Sequence, residues 1–113
     1  MDRKAFARMI RGKLKPQARL DLHGMTAAHA HDVLRGFILR AHVNGLRLVL
    51  VITGKGRRGG DDAIIPERLG VLRHQVPQWL RLPPLSNLVL QISPAHRSHG
   101  GEGAYYVYLR RVR

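Results

Sequence analysis

The sequence predicts a single α/β domain, a two-layer βαβαββ sandwich with a four-stranded mixed sheet. Three observations support this fold. A short alternating run at 18–23 and an apolar run at 46–53 have the patterns of β-strands. An amphipathic helical pattern at 27–44 joins them, which makes a βαβ unit with parallel strands and a right-handed crossover. The order is completed by a helical pattern at 66–80 and by strand patterns at 87–93 and 104–110.

Local signals set the ends of these elements. Thr26 is a candidate N-cap for the first helix, and Gly45 stands where a glycine C-cap is expected. The second strand is apolar throughout 48–52, which is typical of a central strand buried on both faces. In the second helix, Gly70 is a candidate for the true start, and Pro77 should bend or shorten the helix.

The segment 1–17 is expected to be a basic N-terminal helix or arm, and the main domain spans 18–113. Within the arm, 3–14 carries an apolar helical stripe among basic residues, and Pro16 stops the helix. One interpretation is a docking helix that covers an open face of the domain. The other is a basic arm that follows phosphates. The two are compatible because they would use opposite faces of the helix.

Charge is the strongest global signal in the sequence. Twenty lysines and arginines stand against seven acidic residues, a formal net charge of +13 in 113 residues. Nucleic acid, DNA or RNA, is the usual partner of such a chain, and a generally basic proteome, a membrane surface or an acidic protein are the alternatives. Aromatic residues make up only 5% of the chain, which disfavours a base-stacking platform and favours contacts to phosphates.

Composition also bounds the environment of the protein. Cysteine is absent, which excludes disulfides and thiolate zinc sites. No apolar run approaches the ~20 residues that a membrane span needs, and the first residues lack the apolar core of a secretory signal. We therefore expect a cytoplasmic protein with no membrane partner. The sequence leaves the oligomeric state open and slightly favours a monomer.

The first candidate site is the run Leu20-Asp21-Leu22-His23-Gly24. Strand alternation places Asp21 and His23 on one face, next to a glycine turn. A carboxylate beside a histidine can fix the tautomer of the imidazole, or the two can share a divalent metal such as Mg²⁺ or Mn²⁺. The alternative is structural: Asp21 bonds to the backbone in a turn, and His23 is solvated.

Two glycine-rich loops are the other candidate features. The first, which includes Gly54-Lys55-Gly56, follows a buried strand, and ligands of open α/β sheets gather at the carboxyl ends of parallel strands. Its charges suit a phosphate, although the spacing is not that of a P-loop, and a solvated surface loop is the alternative. The second loop, 93–104, holds His99, which is placed to return toward the first strand or to be an exposed loop residue. The binding candidates in the two loops are Lys55, Arg57, Arg58 and Arg97 together with the glycines Gly54, Gly56, Gly100, Gly101 and Gly103.

Four motifs in order give a family resemblance. They are Leu20-Asp21-Leu22-His23-Gly24, Thr53-Gly54-Lys55-Gly56, the segments 70–73 and 76–80, and the run from His99 to Arg111. Together they resemble the Smr domain, the small MutS-related domain, over about 18–111. The resemblance implies a fold similar to the C-terminal domain of bacterial translation initiation factor three. It also implies nicking or endonuclease activity on DNA or RNA.

The resemblance assigns roles to residues of this chain. Asp21 and His23 match the positions associated with cleavage. His99 is a further candidate catalytic residue, and either His99 or His96 could compensate for the histidine that this chain lacks before Gly-Lys-Gly. Gly54, Lys55 and Gly56 match the positions expected to hold the phosphate backbone. Gly100, Gly101 and Gly103 match the final motif, and Arg57, Arg58, Arg97 and Arg110 are added as nucleic-acid-binding candidates.

One position departs from the pattern. Many members attached to MutS-type proteins have a histidine before Gly-Lys-Gly, and here the residue is Thr53. The expected mechanism uses His23 as general base or acid, Asp21 as its orienter or as a metal ligand, and Lys55 with Arg57 as phosphate stabilisers. The alternative function is a non-catalytic DNA- or RNA-binding module that uses the same cleft.

Overall fold

The computed structural model describes residues 15–54, 71–96, 99 and 103–111. The predicted N-terminal helix at 3–14 and the first part of the second helix, 66–70, lie outside the described residues. The same holds for Lys55, Gly56, Arg57, Arg58, Arg97, Gly100 and Gly101.

The order of the described elements is the predicted βαβαββ. The elements are β1 (Ala18–Asp21), α1 (Ala27–Val43), β2 (Leu48–Ile52), α2 (Val71–Leu80), a short 3-10 helix (Leu85–Asn87), β3 (Val89–Pro94) and β4 (Ala104–Leu109). β1 is shorter than the predicted 18–23 because the chain turns at Gly24, where φ is +82°. The backbone N–H of Leu22 still donates to the carbonyl of Ile52 at 2.7 Å. β3 begins later than predicted because the 3-10 helix occupies 85–87.

The sheet is mixed, and its strand order is β1-β2-β4-β3. β1 and β2 are parallel, whereas β4 runs antiparallel to both β2 and β3. Ile52 therefore pairs with Asp21 on one side and with Ala104 on the other. The carboxyl ends of β1 and β2 and the amino end of β4 meet at one edge of the sheet, which we call the carboxyl edge.

One face of the sheet is covered by α1 and α2. Leu34 and Ile38 of α1 and Val76 of α2 are fully buried in the same cluster as Val49 and Val51 of β2. Both ends of α1 are as predicted: the Thr26 hydroxyl accepts the His29 N–H at 3.3 Å, and Gly45 follows the helix with φ +79°. Capping satisfies backbone groups that the helix itself leaves unpaired.

The opposite face, which we call the outer face, has its own apolar cluster. Leu48 and Leu50 of β2 pack there with Tyr106 of β4 and Ala95. β2 is thus buried on both sides, which confirms the prediction of a central strand. Alternation along β1 places Ala18 and Leu20 toward the helices, so the side chains at 19 and 21 belong to the outer face.

Pro77 does not end α2, which continues to Leu80. A proline has no N–H, so in a regular helix the carbonyl four residues earlier, that of Arg73, loses its partner. The hydroxyl of Tyr105 on β4 donates to this carbonyl at 2.9 Å. The sheet thereby supplies the hydrogen bond that the helix cannot make. None of the helices in the described part of the chain is long and apolar enough to cross a membrane.

Candidate active site

Asp21 and His23 form a hydrogen-bonded pair at the carboxyl edge. Nδ1 of His23 lies 2.6 Å from Oδ1 of Asp21, and the backbone N–H of His23 donates to the same oxygen at 3.0 Å. Asp21 is the last residue of β1, and the chain turns at Gly24, directly after His23. The backbone bond that the sequence offered as an alternative is therefore present together with the side-chain pair.

The pairing defines the chemistry of the imidazole. An ionised carboxylate only accepts hydrogen bonds, so Nδ1 of His23 carries a proton, and Nε2 of the neutral ring keeps a lone pair. The side chain of His23 is 69% exposed and that of Asp21 is 48% exposed. A basic nitrogen is thus presented at the surface, where a macromolecular substrate can reach it.

The Asp21 carboxylate is held in its ionised form. Partial burial raises the pKa of Asp21, but the hydrogen bonds from His23 and the charges of His23 and Arg19 together lower it more. The pKa of Asp21 therefore lies below its usual range. An ionised Asp21 keeps its partner oriented at neutral pH.

Gly54 lies directly against His23. Its φ is +84°, and a Cβ built at this position would stand 3.2 Å from Cβ of His23. A side chain there would be strained and would press on the histidine. Glycine at this position therefore gives His23 the room that its bond to Asp21 requires.

The carbonyl of Gly103 joins the two glycine-rich loops. It accepts the backbone N–H of Thr53 at 2.8 Å and that of Gly54 at 3.0 Å. The Thr53 hydroxyl donates in the same region, 3.3 Å from the Gly103 carbonyl and 3.0 Å from that of Gly54, and Thr53 is buried. The structure thus brings together the Asp21–His23 pair, Gly54 and Gly103, which come from three segments that are far apart in the sequence. The N–H of Gly54 donates to the Gly103 carbonyl, so it is not offered to a ligand. The contribution of Gly54 that the structure describes is to let the backbone pass close to His23.

Two other candidate residues that the structure describes, His99 and Arg110, make no hydrogen bond to the Asp21–His23 pair. The His99 ring is hydrogen-bonded through Nδ1 to the hydroxyl of the fully buried Tyr106, on the outer face of the sheet. Arg110 follows the last residue of β4, and β4 starts at the carboxyl edge, so Arg110 lies at the opposite edge, about 20 Å away. The structure therefore does not bring Arg110 to the Asp21–His23 pair.

The described residues near Asp21 and His23 offer few ligands for a resident metal ion. The described residues contain no group of three or more histidine and acidic side chains that could hold an ion. Asp21 and His23 supply one carboxylate and one imidazole, and the bond between them already uses Nδ1 and Oδ1. Mg²⁺ prefers near-octahedral oxygen coordination. The described side chains do not fit such an ion without ligands from elsewhere.

Sequence reasoning missed two residues near the site. Arg19 stands two positions before Asp21 on the same strand, and its charge acts on that carboxylate. The two-residue alternation of side chains along a strand could have identified Arg19. Tyr106 was missed because its contact with His99 depends on the course of the loop between β3 and β4.

Comparison with known proteins identifies the family. The family model described as "Smr domain" matches residues 20–110, which is most of the chain. The chain belongs to the Smr domain family. Its mixed α/β fold is that of a solved relative, "YdaL, a stand-alone small MutS-related protein from Escherichia coli". The two superpose with a TM-score of 0.69 at 32% identity, over 98% of this chain and 78% of that one.

Two curated relatives have names that describe activities. The chain is 36% identical over 101 residues to the "Probable DNA endonuclease SmrA" of Escherichia coli (strain K12). It is 29% identical over 101 residues to the "Ribosome rescue factor SmrB" of Haemophilus ducreyi. Each match covers 89% of this chain and 49% of the relative. This Smr domain thus spans about half the length of the curated relatives it matches.

Proposed function

We propose that this Smr domain is a nucleic-acid endonuclease that cleaves phosphodiester bonds with His23 and Asp21. The observation that carries the proposal is the 2.6 Å bond between Nδ1 of His23 and Oδ1 of Asp21. It leaves Nε2 of an exposed imidazole as a base, and it places a carboxylate where it can stabilise the imidazolium that forms. The same division of roles, base and orienting acid, activates nucleophiles in other enzymes.

The proposed reaction removes one proton from the attacking oxygen and supplies one proton to the leaving oxygen. Nε2 of His23 takes the proton of the attacking oxygen, which belongs to water or to a ribose 2′-hydroxyl. That oxygen forms a bond to phosphorus, and the bond from phosphorus to the leaving oxygen breaks. The leaving oxygen takes up a proton from solvent water, and His23 then returns its proton to solvent. Asp21 offsets the positive charge on the ring. Lys55 and Arg57 are our candidates to stabilise the charge on the phosphate oxygens.

The substrate class is nucleic acid, contacted mainly through its phosphates. The net charge of +13 supports this, as do relatives named for a DNA endonuclease and for ribosome rescue. DNA and RNA both remain candidates, and both occur in the cytoplasm, where we propose that the protein acts. Attack by a 2′-hydroxyl is open only to RNA.

The proposed route does not depend on a resident metal. A single carboxylate and an imidazole offer fewer metal ligands than the active sites of two-metal nucleases, which hold two ions about 4 Å apart. We expect cleavage by the purified protein to continue when a chelator is added. Complete loss with the chelator, and recovery with Mg²⁺ or Mn²⁺, would contradict a metal-independent route.

The experiment is a cleavage assay on labelled branched DNA and structured RNA. The wild type should cut at least one substrate, and His23→Ala should be slower by roughly 10²- to 10⁴-fold. His29→Ala is the matched control, because His29 is an exposed histidine on α1, which covers the other face of the sheet. Equal rates for the wild type and His23→Ala would remove His23 from the mechanism.

One observation favours the alternative, a binding module without catalysis. Thr53 occupies the position where many members attached to MutS-type proteins have a histidine, and its side chain is buried against the carbonyls of Gly54 and Gly103. It therefore presents no proton carrier to a substrate. If the wild type binds both nucleic acids and cuts neither, the binding module is the function.

A further inference from the structure

The outer face of the sheet has a groove next to the Asp21–His23 pair. Its volume is about 460 Å³, and its described lining includes Lys15, Arg19, Leu50 and His99. Leu50 pairs in register with Arg19 of β1 and with Tyr106 of β4. The next pair along the same strands on this face is Asp21 with Ile52. Arg19, at one end of the groove, is therefore one strand repeat away from Asp21, and the rest of the lining on this segment, 15–18, extends away from the pair.

Arg19 links the groove to the pair. Arg19 and Asp21 lie on the same face of β1, two residues apart, which is about 7 Å along a strand. The side chain at 19 is exposed, and its charge contributes to the low pKa of Asp21. Because Arg19 offsets the negative charge of Asp21, a phosphate can approach this part of the surface.

His99 is fixed on the other side of the groove. The Tyr106 hydroxyl accepts the backbone N–H of His96 at 3.2 Å, and it is also bonded to Nδ1 of His99. The hydroxyl has a single proton and can donate it to Nδ1, and in that tautomer of the neutral ring Nε2 carries the hydrogen. A fully buried tyrosine thereby holds the His99 ring in a groove that also has two cationic side chains.

We propose that this groove binds the phosphodiester next to the one that is cleaved, in a single-stranded segment of nucleic acid. Arg19 supplies positive charge nearest the pair, and Lys15 supplies it at the far end of the groove. In the tautomer in which Tyr106 donates to Nδ1, His99 supplies an N–H donor. The spacing from Arg19 to Asp21 is similar to one nucleotide step in an extended strand. The volume suits a small ligand rather than a duplex. The inference rests on the proposed function, since it takes the Asp21–His23 pair as the point of cleavage.

The test measures binding and cleavage separately. Binding of a short fluorescein-labelled single-stranded oligonucleotide, as DNA and as RNA, is followed by anisotropy in a His23→Ala background, so that the probe stays intact. Arg19→Gln should weaken binding about tenfold and reduce the slope of log affinity against log salt by about one phosphate contact. Lys15→Gln should act in the same direction.

Arg35→Gln is the matched control, because it removes the same charge from an exposed position on α1, away from the outer face. We expect it to change affinity by less than twofold. Equal weakening by Arg19→Gln and Arg35→Gln would overturn the groove, since net charge alone would then account for binding. If Arg19→Gln weakens binding selectively while the wild type fails to cut any substrate, the groove stands and the proposed endonuclease function fails.

Discussion

At the scale of single residues, Asp21 contributes through its charge. The pKa of Asp21 is lowered in the folded chain, so its ionised form stabilises the fold at neutral pH. This contribution is present above the pKa of an unfolded aspartate, about 3.9, and is lost as the pH falls through the lower folded value. Because both side chains are substantially exposed, we expect at most about 1 kcal/mol.

The pH dependence can be measured with Asp21→Asn. At neutral pH the variant should have a free energy of unfolding lower by up to about 1 kcal/mol, and at about pH 2 it should match the wild type. Urea denaturation at the two pH values gives both numbers. A loss of the same size at both would mean that Asp21 acts through something other than its ionised form.

Gly54 can be tested against another glycine with the same backbone conformation. Gly54 and Gly45 both have positive φ, but a Cβ would contact His23 only at Gly54, and at Gly45 it would meet no atom within 4 Å. Alanine at either position should lower stability by about 1–2 kcal/mol, as followed by thermal unfolding. Gly54→Ala should in addition slow cleavage, because it displaces His23. Cleavage that is equally slow in Gly45→Ala would show that strain alone is responsible.

Sequence reasoning reached part of this site and not the rest. The side-by-side placement of Asp21 and His23 follows from two-residue alternation and a glycine turn, which are local properties. The contact of Gly54 with His23 depends on which strands are neighbours. The bonds at Gly103 and the pairing of His99 with Tyr106 depend on the course of the loop before β4. Local pattern carries no information about that course.

At the scale of elements, α2 and β4 are joined by a bond that compensates for a proline. Tyr105→Phe should remove the bond that the Tyr105 hydroxyl donates to the Arg73 carbonyl and lower the free energy of unfolding by about 1–2 kcal/mol. In a Pro77→Ala background the helix regains an N–H at position 77 that can serve the same carbonyl. In that background, Tyr105→Phe should lower the free energy of unfolding by a smaller amount. A double-mutant cycle by chemical denaturation measures the difference.

The cycle also has a clear negative result. If Tyr105→Phe costs the same with and without Pro77, the hydroxyl does not substitute for the missing helix bond. Its contribution would then be an independent contact between the sheet and the helix.

The elements themselves were largely predictable. The apolar period of α1, its Thr26 cap and the double-sided burial of β2 follow from local pattern, and the structure confirms them. A mixed sheet could be predicted from the sequence, but the order of its strands could not. The reason is that β2 and β4 pair although they are more than fifty residues apart in the sequence. The 3-10 helix at 85–87 lacks a periodic apolar signal, so the start of β3 was predicted too early.

At the scale of the whole molecule, the positive charge should govern association with nucleic acid. With a net charge of +13, binding should weaken steeply as salt increases, with a log–log slope of about −0.7 per phosphate contact for single strands and −0.9 for duplexes. A titration of one labelled oligonucleotide across a salt series measures the slope. A flat curve would indicate recognition by contacts other than phosphate, as an interaction domain for a protein partner would show.

The topology brings three separate segments of the chain to the carboxyl edge. The parallel pair β1 and β2 ends at the same edge where antiparallel β4 begins, so segments near 21, 53 and 103 meet there. We propose that the Asp21–His23 pair at this edge performs the cleavage.

The most direct test is the single-turnover cleavage rate of Asp21→Asn, with substrate affinity measured on the same preparation. An amide of the same shape can still bond to His23, but it no longer fixes the required tautomer or offsets the imidazolium charge. We predict a rate lower by roughly 10²- to 10⁴-fold, with affinity changed by less than about threefold. An unchanged rate would contradict a role for Asp21 in cleavage.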